Sequence, residues 1–142
     1  MREILFRGKR IYNGEWVEGS LLKGKKGDAD CAIIVPEKEL QAVGLDFCVE
    51  CDRPYDESIE AFPETVGEYT GLTDKKGKKI FEGDIVKGYF NDKLIRGVVV
   101  YGNDATFFIQ QKGLWGIGLN NGEIWIEVIG NIHDNPELLE EK

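Results

Sequence analysis

The chain has 142 residues, 42% of them hydrophobic, so it can bury the core of one ordinary domain or of two small ones, and its composition does not specify disorder. No apolar run approaches the roughly 20 residues that span a bilayer, and Met1-Arg2-Glu3-Ile4-Leu5-Phe6-Arg7 breaks into charge too soon for a secretion signal, so a cytosolic address is expected. The net charge is −8, and residues 31–69, with 2 bases against 10 acids, carry that whole value; residues 70–100, with 7 bases against 4 acids, are the most basic stretch.

The first predicted element is a hairpin. Ile4–Tyr12 and Glu15–Leu22 are β-rich and flank Asn13-Gly14, a pair that favours a type I′ turn because both central residues need positive φ. Lys23-Gly24-Lys25-Lys26-Gly27-Asp28 reads as a polar loop, and Cys31–Val35 as a buried strand. Pro36–Val43 has helix signals: proline at the first position, Glu37 and Glu39 at the positive end of the dipole, and Gly44 as a cap. The acidic stretch Asp46–Glu64 is irregular, with a short helix predicted from the spacing of Tyr55, Ile59 and Phe62 between Pro54 and Pro63.

From Val66 onward the pattern changes to short strands: Val66–Thr70, Ile85–Phe90, Leu94–Tyr101, Ala105–Gln110 and Glu123–Ile129. Gly77, Asn91-Asp92, Gly102-Asn103-Asp104 and Asn120-Asn121-Gly122 punctuate them. Sharp turns without intervening helices suggest a small closed or nearly closed barrel, which would hide strand edges that otherwise invite aggregation. Pro136 is predicted to start a terminal helix over Glu137–Glu140, capped by Asn135. The expected fold class is therefore mainly β, divided into an N-terminal hairpin and acidic irregular region, 1–65, and a C-terminal barrel, 66–142.

Three blocks give a resemblance. Tyr69-Thr70-Gly71-Leu72-Thr73-Asp74, Gly77 and Ile80-Phe81-Glu82-Gly83-Asp84-Ile85-Val86 form the central one. Ile4, Phe6-Arg7-Gly8-Lys9, Gly14, Trp16-Val17 and Gly19 precede it, and Val128-Ile129-Gly130-Asn131-Ile132 with Asn135-Pro136-Glu137-Leu138-Leu139 follows. Together they resemble the YopX family of phage- and prophage-encoded proteins, with Glu68 and Lys76 standing where glutamine and asparagine are common. The resemblance implies an SH3-type barrel in the C-terminal half and a phage or prophage origin in a bacterial host. It implies no activity, because the family has no established one, and so it assigns no functional residues.

Read as chemistry, the central block is structural. Gly71, Gly77 and Gly83 fall where the chain must reverse or meet the next strand, and Asp84 can accept hydrogen bonds from turn amides. A ligand role for Glu82 and Asp84 is the lesser alternative. Cys48-Val49-Glu50-Cys51 has zinc-ligand spacing, and Cys31 with His133 would complete a tetrahedron, but a lone pair of this kind is a weak signal. Ordinary reduced thiols are the expectation, with no metal and no cofactor. His133 is the single histidine, Asp134 is its sequence neighbour, and the serines number two, Ser20 and Ser58, so no catalytic residue is assigned and no enzyme is expected.

Two binding readings are left. In Glu123–Ile129 the residues Ile124, Ile126 and Val128 share one face, while Glu123, Trp125 and Glu127 share the other. A tryptophan among glutamates should be covered by the N-terminal hairpin, by another subunit or by a partner, which makes these three the candidate interface of a protein-binding homo-oligomer. The acidic middle would steer such a protein toward a basic partner. The alternative is nucleic-acid binding by Lys75, Lys76, Lys78 and Lys79 with Tyr89, Phe90 and Phe107, although those lysines also suit a solvated hairpin tip.

Overall fold

The structure is a computed structural model, and the residues described are 4–36, 60–102, 106–112, 116–119 and 124–139. The chain divides into two compact units, Glu3–Glu68 and, from Tyr69, the remainder to Lys142. The helix expected over 36–43, apart from Pro36, lies outside the described residues, as does the short helix around Tyr55 and Ile59.

In the N-terminal unit, β1 (Phe6–Lys9), β2 (Trp16–Lys26), β3 (Ala29–Val35) and β4 (Glu60–Ala61) pair antiparallel in that order. Val17, Ile34 and Ala61 are its buried apolar centre, with Phe6 and Leu21 packed against them. The first hairpin is present, but its turn is not the expected two-residue one. Lys9 pairs with Trp16, the Arg10 N–H donates to Glu15 O (2.8 Å), and the Gly14 N–H donates back to Arg10 O (2.8 Å). Gly14 alone is left-handed (φ 73°), while the Asn13 side chain accepts from the Glu15 N–H (3.0 Å). Asparagine here bonds the loop through its side chain instead of adopting positive φ.

The polar stretch from Lys23 also differs from expectation. Strand β2 continues through it, pairing Lys23 with Ala32 and Lys26 with Ala29, so that only Gly27-Asp28 is left as the turn. The described residues of this ribbon, 23–25 and 29–30, are exposed on both faces, and across it Lys25 and Asp30 form an ion pair of 3.2 Å.

Strand β5 (Gly67–Thr73) crosses the boundary of the units, its start pairing with β1 and its remainder with β6 (Lys79–Phe81). The C-terminal unit then adds β7 (Asp84–Phe90), β8 (Lys93–Tyr101), β9 (Phe107–Gln110), β10 (Ile117–Gly118) and β11 (Ile124–Asn131). These last five form one antiparallel sheet in the order β10-β9-β8-β7-β11. Among the described residues no strand pairing joins its two ends, so the strands lie in antiparallel sheets that do not close into a barrel. The mainly β class holds.

Alternation gives the five-stranded sheet an inner face. Val86, Ile95, Val99, Ile109 and Ile126 point inward with Ile80, Phe107 and Leu119, and all eight are buried. Gly71, Gly77 and Gly83 all have positive φ (88°, 83° and 93°), the backbone that a glycine adopts without penalty. Asp84, 1% exposed, accepts the Phe81 N–H (2.8 Å) across that last turn, as its position suggested. The type I′ turn occurs at Asn91-Asp92, both at positive φ (50° and 66°), where two residues separate the paired Phe90 and Lys93. The terminal segment is a 3-10 turn, Pro136–Leu139, and Asn135 Oδ1 accepts from the Asn131 N–H (3.3 Å) behind it instead of capping a helix ahead.

Candidate binding face

The outer face of β11, β7 and β8 carries what the core excludes. Tyr89 lies directly opposite Trp125 on one side and Leu94 on the other, so three large side chains form a row across three strands. All three are exposed: Trp125 by 54%, Tyr89 by 47% and Leu94 by 61%. The Tyr89 and Trp125 rings stack at 6.3 Å between centroids and 27° between planes. Asn91 and Asp92, at the tip of the β7–β8 hairpin, join Tyr89 and Trp125 in lining an open recess. The next row on this face is polar, with Lys87 between Glu127 and Arg96. Beyond it the terminal 3-10 turn lies against the sheet, where Arg96 Nη1 donates to Leu138 O (3.1 Å).

A fourth member reaches the row from outside the sheet. The Lys75 ammonium sits 3.6 Å from the centroid of the Trp125 ring, close enough for a cation–π attraction. The contact depends on Asp74, which starts the turn between β5 and β6. Asp74 is 7% exposed, its Oδ1 accepts the N–H groups of Lys76 and Lys78 (both 2.9 Å), and its Oδ2 accepts the Val128 N–H (2.9 Å). The Lys75 N–H donates to Ile126 O (3.0 Å). One carboxylate thus ties the lysine turn to the outer edge of β11, and the tie also covers part of a strand edge that would otherwise be open.

Electrostatics fit this arrangement. Burial by itself would raise the Asp74 pKa, but the N–H groups of Val128, Lys78 and Lys76 and the Lys78 charge outweigh it and hold the carboxyl below its ordinary value. Glu127 is lowered as well, first by the hydrogen bond from Lys76, whose ammonium lies 3.0 Å from Oε2, and then by that ammonium's charge.

Of the residues singled out by sequence, Trp125 is exposed and is contacted from within its own unit by Tyr89 and Lys75. Glu127 sits beside it, bridged to Lys76, and Glu123 lies outside the described residues. The lysines do not form an isolated hairpin tip: Lys75 packs on Trp125, Lys76 pairs with Glu127, and Lys79 lies 5.7 Å from the centre of the Tyr69 ring. Two aromatics expected beside them face the other way. Phe107 is buried against Tyr101 and the core, and Phe90 packs partly on the same core, because both have inward parity on their strands. Cys31 is buried in β3 with its thiol 3.6 Å from Glu60 Oε1, the His133 N–H donates to Asn131 Oδ1 (3.0 Å), and Cys48 and Cys51 lie outside the described residues.

Sequence reasoning did not find Asp74 or Leu94. Asp74 had a local signal, since aspartate followed three residues later by Gly77 is a type I turn signature, and the Gly77 N–H does donate to Asp74 O (2.9 Å). The reach of its side chain to Val128, 54 residues away, had none.

Comparison with solved structures finds a similar chain in the crystal structure of protein EF1440 from Enterococcus faecalis, with a TM-score of 0.50 and 22% sequence identity over 98% of this chain and 99% of that one. That likeness concerns the fold alone. No curated protein matches. The family described as YopX protein matches residues 5–140, nearly the whole length, and the chain belongs to that family.

Proposed function

We propose that this is a phage- or prophage-encoded accessory protein without catalytic activity, acting in the bacterial cytoplasm by binding protein through the outer face of β11, β7 and β8. The observation that carries the reading is the exposed row Trp125, Tyr89 and Leu94. Large exposed apolar side chains gathered in one place mark interaction surfaces on soluble proteins, and tryptophan and tyrosine are the residues that most often dominate binding energy. The stack on Tyr89 and the Lys75 contact restrict Trp125 before a partner arrives, which lowers the entropy lost on binding. Self-association belongs to the same reading, since a second copy could bury the same row. An SH3-like character for the C-terminal unit is supported by the Asp74 tie, which brings the β5–β6 turn round to the edge of β11.

The test is capture from host lysate by the wild type and by Trp125→Ala, at low and at moderate salt, with light scattering of both proteins. A protein retained by the wild type and lost by the variant is expected, as is a mass above the monomer that falls in the variant. Identical captured sets, together with a monomer in both cases, would remove the reading.

The nucleic-acid alternative has one observation in its favour, the lysine turn lying against Trp125. Base stacking, however, needs an open ring face. Lys75 approaches Trp125 from the outer edge of β11 and Tyr89 approaches from β7, so a base must displace one of them. Gel retardation of single-stranded and double-stranded nucleic acid across a salt series decides the point, and no retardation even at low salt is the expected result.

A further inference from the structure

We infer that the segment recognised by this face is an acidic polypeptide stretch carrying apolar side chains; the inference rests on the protein-binding reading above and adds the sign of the partner. The chain as a whole is acidic, at −8, but the outer face is not. Lys75 closes one end of the aromatic row, and Lys76, Lys87 and Arg96 flank it in the neighbouring row. Against these four cations the described part of the face holds three acids, Glu127, Asp92 and Asp74, and the last is buried and bonded to three backbone N–H groups. Glu127 and Lys76 answer one another, which leaves Lys75, Lys87 and Arg96 against the exposed Asp92 and the buried, amide-bonded Asp74.

The geometry also restricts the form of the partner. Trp125, Tyr89 and Leu94 stand on β11, β7 and β8 in succession, two inter-strand steps or about 9.5 Å, and the Lys75 ammonium adds the 3.6 Å to the Trp125 ring. An extended segment rises about 3.3 Å per residue, so roughly four residues crossing the strands would cover the row. Trp125 and Tyr89 stack on one another and present a ridge to which aliphatic side chains can pack. The ammonium of Lys75 keeps N–H donors that the ring does not use, since it has three and a π-face is no stoichiometric acceptor. A carboxylate arriving beside Trp125 would therefore meet a fixed cation whose backbone is already tied down through Asp74 and Ile126. This is the reverse of the basic partner suggested by the acidic middle of the sequence, and the reversal follows from the sign of the charges around the exposed rings.

The test uses three coumarin-labelled peptides of the repeating pattern Leu-Glu-Ser-Glu, with Gln or Lys replacing Glu in the second and third, titrated by anisotropy against the full chain. An oligothymidylate serves as the fourth ligand. At low salt the Glu peptide should bind at least about tenfold more tightly than the Lys peptide, a difference of about 1.4 kcal/mol, and the gap should narrow as salt screens it. Trp125→Ala should abolish binding of the Glu peptide. Lys75→Glu and Lys87→Glu, checked for native circular dichroism, should weaken the Glu peptide several-fold and spare the Gln peptide. Equal binding of all three peptides, lost together in Trp125→Ala, overturns the acidic partner and leaves the protein-binding face standing. Failure of the Glu peptide to bind, or binding that survives Trp125→Ala, overturns the inference, while the capture experiment judges the face separately. Tighter binding of the oligothymidylate than of the Glu peptide transfers the face to nucleic acid.

Discussion

The inner and outer faces of β7, β8 and β11 are built from alternate residues of the same three strands, and they are held in different ways. On the inner face, Val86, Ile95, Val99 and Ile126 are fixed by close packing in an eight-residue core. On the outer face, the order of Trp125 and Tyr89 comes from a ring stack, one ammonium and a buried carboxylate that fastens the turn bearing it. The inner face sets stability. The outer face is kept ordered while still exposed, which is what a recognition surface needs, and its loss should cost the fold little.

Substitutions on the two faces should therefore separate. Ile109 is fully buried, and Ile109→Ala should lower unfolding free energy by about 2–5 kcal/mol in urea titrations. Leu94→Ala, on the exposed row, should stay within about 0.5 kcal/mol. If the two prove equal, the outer face is covered in the folded protein.

Gly88 tests the join between the faces. A Cβ there would run into Trp125 O and lie 2.7 Å from Ile126 Cα, so β11 must move away from β7 to admit it. Gly88→Ala should cost about 1–3 kcal/mol and disturb the Tyr89–Trp125 stack, seen as a change in near-ultraviolet circular dichroism. Loss of stability without that change would mean that the stack does not depend on the strand spacing.

Asp74→Ala removes the acceptor for three backbone N–H groups and should cost about 1–3 kcal/mol. The carboxyl's folded pKa is depressed, so its contribution is present above the unfolded value near 3.9 and is lost as pH falls through the folded one. The urea midpoint should therefore fall more steeply in acid for the wild type than for Asp74→Asn, and the two curves should run parallel near neutrality. Parallel curves down to the lowest pH would show that Asp74 is not the clamp. The smallest effect is expected from Glu127→Gln, which breaks an ion pair with a well-exposed Lys76 and should leave the urea midpoint unmoved.

How much of this was legible depended on range. The parity of Ile124, Ile126 and Val128 against Trp125 and Glu127 needed only a period of two, and the positive φ at Gly71, Gly77 and Gly83 followed from local punctuation. Turn type was less secure. Asn13-Gly14 has the type I′ composition but sits in a wider loop, while Asn91-Asp92 takes that turn because the strands on either side leave two residues between them. Strand β6 was missed because three residues are too few to show a period. The site itself was half-legible: Trp125 stood out among glutamates, and the lysines stood out as a cluster, yet they looked like rival sites. They lie side by side because Asp74 reaches Val128 across the chain, a contact no local pattern encodes.

An NMR titration of the uniformly nitrogen-15-labelled full chain with the Glu peptide, following backbone amides and the three tryptophan indoles, shows whether the exposed row of β11, β7 and β8 is where a partner binds. The Trp125 indole and the amides of Lys75, Tyr89 and Leu94 should shift together and saturate at one affinity, with inner-face amides such as those of Val99 and Ile109 unmoved. Shifts that map elsewhere, or a Trp125 indole that stays fixed while the peptide binds, would contradict binding at that row.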